Sequence, residues 1–526
     1  MKCIESLSRV GISAAAILVF AATLLCSNAA ASTRPVYGGT LRVELHTATL
    51  NLDPRQWKQG APESSEQERI AELLYDRLVA LDSFGRFQPR LATEWAHDAS
   101  FKRWQFTIRG GVKFSDGADL TGTEVAAALQ PLLPRALEVT GTANFIILQS
   151  QSPAPDLLEV LASGRYFIYH AATDGSLAGT GAFTIAPASA SSTQDDSRLS
   201  NTAKARLLRL QASPDCWAGR PYVNLIEIRL GVPSLRAMFD VQLGKADIAL
   251  LTPDVARRAV QSDLRVWNSV PVTLYALQFQ SPQKHRADDA LHQALSLSLD
   301  RATMAGVLLQ KQAEPAAALL PQWLSGYAFL FDMETNQDLA QKLQKTLPAV
   351  SIGAGVPLRL RIDAPGEMTR LLGERVVVNA RQAGLSMQLA AQSDSPVEER
   401  EVSSTGKNIA GETFVRLFAW RYTLLSPRAE MDAIVNALHL ENIAADTAAG
   451  DSGQLYEAER ALLDEKEILP LVILPDYVGL SPAVRDWLPT NWGEWNLADV
   501  WLDRGEQTSP IPSDAAVKSG SAGARP

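Results

Sequence analysis

With 526 residues and a formal net charge of -9, the chain is longer than one hydrophobic core usually serves, so two or more domains are expected. The mildly acidic balance counts against nucleic acid or an anionic membrane surface as a partner. The cysteines are Cys3, Cys26 and Cys216, so a chain cleaved after Ala31 has no pair with which to close an internal disulfide.

Residues 1–31 read as a cleaved Sec-type signal peptide. Lys2 and Arg9 lead into an apolar run from Val10 to Leu25, and Ala29-Ala30-Ala31-Ser32 supplies a small-residue exit. An uncleaved anchor would want a stop-transfer flank, and a lipoprotein would want a small residue where Leu25 precedes Cys26. Beyond this leader the pattern is mixed α/β. Thr40 to Leu45 alternates as a strand, and Ile70, Leu73, Leu74 and Leu78 fall on one helical face. Trp104, Phe106 and Ile108 alternate again before the turn at Gly110-Gly111. Thr121-Gly122-Thr123-Glu124 is a capping box, opening a helix through Val125, Ala126 and Leu129. Leu358, Leu360 and Ile362, then a helical face of Leu371, Leu372, Arg375 and Val376 ending at Gly384, then Leu385, Met387 and Leu389, make a β-α-β unit with parallel strands. Residues 393–408 read as a polar surface loop and 505–526 as a disordered tail.

Catalytic signatures are missing. There is no HExxH, no GxSxG elbow, no GxGxxG after a strand and no phosphate loop. No two of the six histidines stand at metal-ligand spacing; His285 and His292 are two helical turns apart. Cys216, beside Trp217, reads as a packing residue. The chain is therefore not read as an enzyme, and no cofactor or metal is expected.

Several segments, in order, resemble the family 5 extracellular solute-binding proteins. Tyr37-Gly38-Gly39-Thr40-Leu41-Arg42-Val43 is similar to the opening strand of that family, and Leu52-Asp53-Pro54 to its turn. Pro89-Arg90-Leu91-Ala92-Thr93-Glu94-Trp95 matches an LAxxW segment. Trp104 to Gly117, followed by Leu120-Thr121-Gly122-Thr123-Glu124-Val125, resembles the family signature throughout. Gly179-Thr180-Gly181-Ala182-Phe183, Pro214 to Tyr222, Leu243 to Ala249 and Gln293 to Arg301 resemble later markers, with Cys216 at a usual tyrosine and His292 at a usual arginine. A colinear set of this kind is far more specific than any single motif.

The resemblance implies an α/β, two-lobed periplasmic-binding-protein fold of the large class, with an extra subdomain, mixed sheets and hinge-bending lobes. Lobe one would comprise 32–271 and a returning segment 475–504, and lobe two 272–474, with crossovers near Tyr275 and Leu471. It implies a binding component of an ABC importer, a monomer, that takes a peptide or other small polar solute to a membrane permease and its ATPases from the periplasm. The ligand contacts it suggests are Thr47, Thr49, Tyr275, Trp420, Arg421, Tyr422 and Thr423. Peptide-binding relatives carry an aspartate three residues after the tryptophan; here Thr423 stands there, and Ser426 occupies the next usual aspartate position. With Arg421 adjacent, the expectation is a ligand without a free α-amine. The competing expectation is that a carboxylate elsewhere, such as Asp394 or Asp432, holds the amine. These departures, with Gln280 in place of a usual asparagine, also leave open a second function, a secreted protein of the same fold that acts as sensor partner or peptide chaperone without transport.

Overall fold

The computed structural model describes residues 34–504 except 59, 62–63, 83, 172–174, 187–206, 281–287, 349–354, 364–365, 391–413 and 441–451. The leader, the loop over 393–408, the tail, His285 and Asp394 lie outside the described residues.

An eleven-stranded mixed sheet organises the chain. Its first part is nucleated by Thr40–Glu44, whose Leu41 and Val43 are fully buried. This strand lies parallel to both Leu225–Arg229 and Ile248–Leu251. The far part carries Leu358–Ile362, parallel to both Met387–Leu389 and Phe414–Arg421. Between them run two long strands, Arg265–Gln280 and Ile468–Leu480, antiparallel from Arg265↔Leu480 to Gln278↔Ile468. One end of the pair joins Ile248–Leu251 and the other joins Phe414–Arg421. Midway, Pro271 stands opposite Pro475 and the register shifts on both sides of Pro271. Neither proline has an N–H to give the ladder, so pairing is weakest there.

Separate apolar clusters form on the two sides of this break. One gathers Leu41, Ile70, Phe106, Phe167 and Ile226. Others gather Leu277, Leu372, Val376 and Leu469, and Leu274, Trp420, Ile434 and Ile473. The expected β-α-β unit is present, with helix Glu367–Gln382 burying Leu372, Val376 and Ala380 while Leu371 stays exposed.

The signature segment builds a satellite four-stranded antiparallel sheet in which Arg103–Ile108 alternates exposed and buried positions. Helix Gly122–Leu129 begins there; the Thr121 hydroxyl accepts from the Glu124 amide at 3.3 Å, which is one of the two bonds of a capping box. The Glu124 carboxylate faces His170 at 3.9 Å. His292 is buried and stacks on Phe279 at 3.7 Å.

One expected helix is shorter than its pattern. The face that included Leu78 ends with helix Ser64–Leu74, and Leu78 is buried just before the short strand Val79–Leu81. The stop has a local cause: the Gly181 amide caps the Leu74 carbonyl at 3.0 Å. A Cβ on Gly179 would come within 1.9 Å of that carbonyl oxygen, and one on Gly181 within 2.5 Å of the Leu73 carbonyl oxygen. The Gly-Thr-Gly element is thus a close backbone approach. Gly179→Ala should cost about 3 kcal/mol, the upper range for overpacking against atoms that cannot swing away. A urea midpoint unchanged from wild type would refute this.

Candidate functional site

Helix Ser64–Leu74 supplies one wall of the site. Ile70, Ala71, Leu73 and Leu74 enter the core, which turns Ser65, Glu68, Arg69 and Glu72, three or four residues apart, onto a second stripe. That stripe lines a small cavity partly open to solvent. The end of strand Phe414–Arg421 and the turn after it bring Arg421, Tyr422, Thr423 and Leu425 to the same cavity. Trp323, Gly164 and the run Trp492, Gly493 and Glu494 complete the lining.

The charges are paired in a definite order. Asp476, the residue after Pro475, accepts from Arg69 and stands 2.7 Å from Arg421 Nη1. Burial alone would raise the Asp476 carboxyl, but the Arg421 and Arg69 guanidiniums hold it below its ordinary value. Arg69 also donates to the Gly493 carbonyl at 3.1 Å and lies over the Trp495 ring at 5.0 Å. Arg77 sits 2.6 Å from Glu494 and 3.6 Å from Glu72. Burial, with Glu494 adding to it, pushes the Glu72 carboxyl well up. Glu68 makes no hydrogen bond or ion pair among the described residues; burial pushes its carboxyl up to about 7 against the pull of Arg421, Arg69 and Arg165.

A fully buried carboxylate shapes the turn that carries Arg421 to Leu425. Glu430 accepts from Trp420 Nε1 at 2.6 Å and from the Thr423 and Leu424 amides at 3.1 and 2.7 Å. Two segments distant in sequence, at Gly60 and Ser163, meet this turn as well. The Arg421 amide donates to Gly60, and the Leu425 amide donates to Ser163 Oγ at 3.1 Å. Ser426 Oγ donates to Asp156 at 2.5 Å while accepting from the Ala429 amide as a helix N-cap.

Of the expected ligand contacts, Arg421, Tyr422 and Thr423 reach the cavity. Arg421 is not the free cation the sequence reading takes it for, because Asp476 already neutralises it. Tyr422 is buried with its hydroxyl on the Leu319 carbonyl, and Trp420 is a core residue whose ring is covered by Gly60. The Thr47 hydroxyl bonds the Thr49 carbonyl at 2.7 Å, closing its own turn, and Thr49 is exposed. Tyr275 packs against the apolar cluster around Leu277. Neither threonine nor Tyr275 lines the cavity. The charged stripe on helix Ser64–Leu74 and the Trp492–Glu494 run escaped the sequence reading; the spacing of Ser65, Glu68, Arg69 and Glu72 opposite an apolar face was the available signal.

Buried glutamates make stability depend on pH. Glu44, Glu68, Glu430 and Glu459 are each pushed up to about 7, first by burial, from an ordinary value of 4.5. Between those values the folded chain binds more protons than the unfolded one, so stability falls as pH rises. His46, lowered by burial and by Arg69, acts in the opposite direction as a single group. The melting temperature should therefore be lower at pH 8 than at pH 5.5, and the reverse order would contradict the assignment.

Comparison with known proteins agrees with this architecture. Residues 86–433, about two thirds of the chain, match the family model described as Bacterial extracellular solute-binding proteins, family 5 Middle. The chain is 27% identical over 144 residues to the periplasmic oligopeptide-binding protein OppA of Haemophilus influenzae, covering 27% of this chain and 26% of that protein. It is 24% identical over 288 residues to the probable D,D-dipeptide-binding periplasmic protein DdpA of Escherichia coli, covering 48% and 52%. These matches span only about a quarter and a half of the curated relatives. The solved structure of the Escherichia coli murein tripeptide binding protein MppA superposes with a TM-score of 0.70 at 16% identity, over 88% of this chain and 98% of that one.

Proposed function

Because the chain belongs to the family 5 bacterial extracellular solute-binding proteins, we propose that it is the extracytoplasmic binding component of an ABC importer. It captures a peptide or other small polar solute between two lobes and hands it to a membrane permease driven by ATPases. The observation that carries this reading is the polar cavity walled by Arg69 and Glu68 on one side and Arg421 and Thr423 on the other, beside the proline break in the two long strands.

The names of its relatives fit such a ligand: an oligopeptide, a D,D-dipeptide and a murein tripeptide. The hinge is assigned to Pro271 and Pro475, where the ladder lacks donors. The periplasm is the site of action, reached through the leader over 1–31, and no described helix is long and apolar enough to cross a membrane.

Purification from the periplasm followed by native mass spectrometry tests the proposal. A bound solute of a few hundred daltons is expected, and its addition to stripped protein should shrink the radius of gyration in small-angle scattering as the lobes close. Absence of any bound solute together with an unchanged radius would count for the non-transporting alternative.

A further inference from the structure

The cavity's charges are unequal in one respect. Arg69 and Arg421 share Asp476, and Glu72 and Glu494 share Arg77. A paired charge can meet a ligand charge only by giving up its partner, whereas an unpaired one gains by doing so. Glu68 lines the cavity and no donor among the described residues reaches it. One N–H group in the same walls is also unpartnered: Trp492 Nε1 has no hydrogen-bond acceptor among the described residues.

We infer that Glu68 is the counter-ion for a positively charged group of the captured solute, a primary ammonium or a guanidinium, while an acceptor of the same solute meets Trp492 Nε1. This rests on the solute-binding reading above. It replaces the expectation of a ligand without a free amine, which depended on an unpaired Arg421. Among the described residues no three His, Cys, Asp or Glu side chains converge as metal ligands, so the cation is taken to be organic.

A proton accompanies the exchange. Glu68 is faced by Arg69 and Glu72 on its own helix, by Arg421 at the strand end, and by Glu494 and Arg165. Burial keeps its carboxyl partly protonated near neutrality. An arriving cation favours the carboxylate, and the proton leaves to water. Capture should therefore weaken as pH falls from 8 to 5.

The probe is a deproteinised bacterial cell extract, offered to ligand-stripped protein and read by mass spectrometry of what is retained. The expected result is that retained solutes carry an ammonium or guanidinium and that retention falls at least tenfold in Glu68→Gln. Glu68→Asp, which keeps the charge, should retain the same solutes, and both variants should stay folded at the assay temperature, Glu68→Gln melting no lower than wild type at pH 8. Retention of uncharged or purely anionic solutes, equal in wild type and Glu68→Gln, would overturn this inference and leave the solute-binding function standing. Retention of nothing from the extract would fail both.

Discussion

The Asp476 carboxylate is the point on which the site depends. It lies 407 residues along the chain from Arg69 and reaches back to that helix, while Arg421 arrives at it from the strand on the far side of Arg265–Gln280. Two buried guanidiniums on one carboxylate would be costly if any member were removed, because a lone buried charge has lost its water without a partner. Intact, the arrangement fixes the helix stripe, the crossover strand and the strand end relative to one another. It also consumes the positive charge of the cavity, and that is why the carboxylate left over, Glu68, dominates its chemistry.

Irregular backbone at buried strand ends has to find donors and acceptors, and this chain uses glutamates to supply them. Glu430 gathers three donors under the turn after Arg421, and Glu459 gathers the Leu319 and Leu320 amides with the Tyr327 hydroxyl at 2.8 Å. Satisfied in this way, each holds a loop that apolar packing alone would leave with unpaired amides. The same burial raises both carboxyls, so the devices that order the walls of the cavity also tie its stability to pH.

Much of the fold was legible because local pattern and tertiary packing agree. Leu41 and Val43, and Trp104, Phe106 and Ile108, alternate in sequence and are buried in the structure. Gly179-Thr180-Gly181 could be recognised, although its reason, contact with the backbone at Leu73 and Leu74, is visible only in three dimensions. The site was harder. Charged residues such as Glu68 and Arg69 on an amphipathic helix look like a solvated face, and Asp476 gives no local hint of partners so distant in sequence. Trp420 looked like a ligand platform, yet the close approach of Gly60, whose absent side chain admits the ring, makes it core. What Thr423 does in the wall depends on which charges around it are already paired, and local sequence does not show that.

The central claim is that Arg421 and Asp476 act as one unit, and a double-mutant cycle on their stability tests it most directly. Arg421→Met and Asp476→Asn should each cost about 3 kcal/mol, because each leaves a buried charge short of its partner. The double variant should lose at least about 2 kcal/mol less than the two losses combined, the signature of residues in direct contact. Strictly additive losses in urea denaturation would contradict the account.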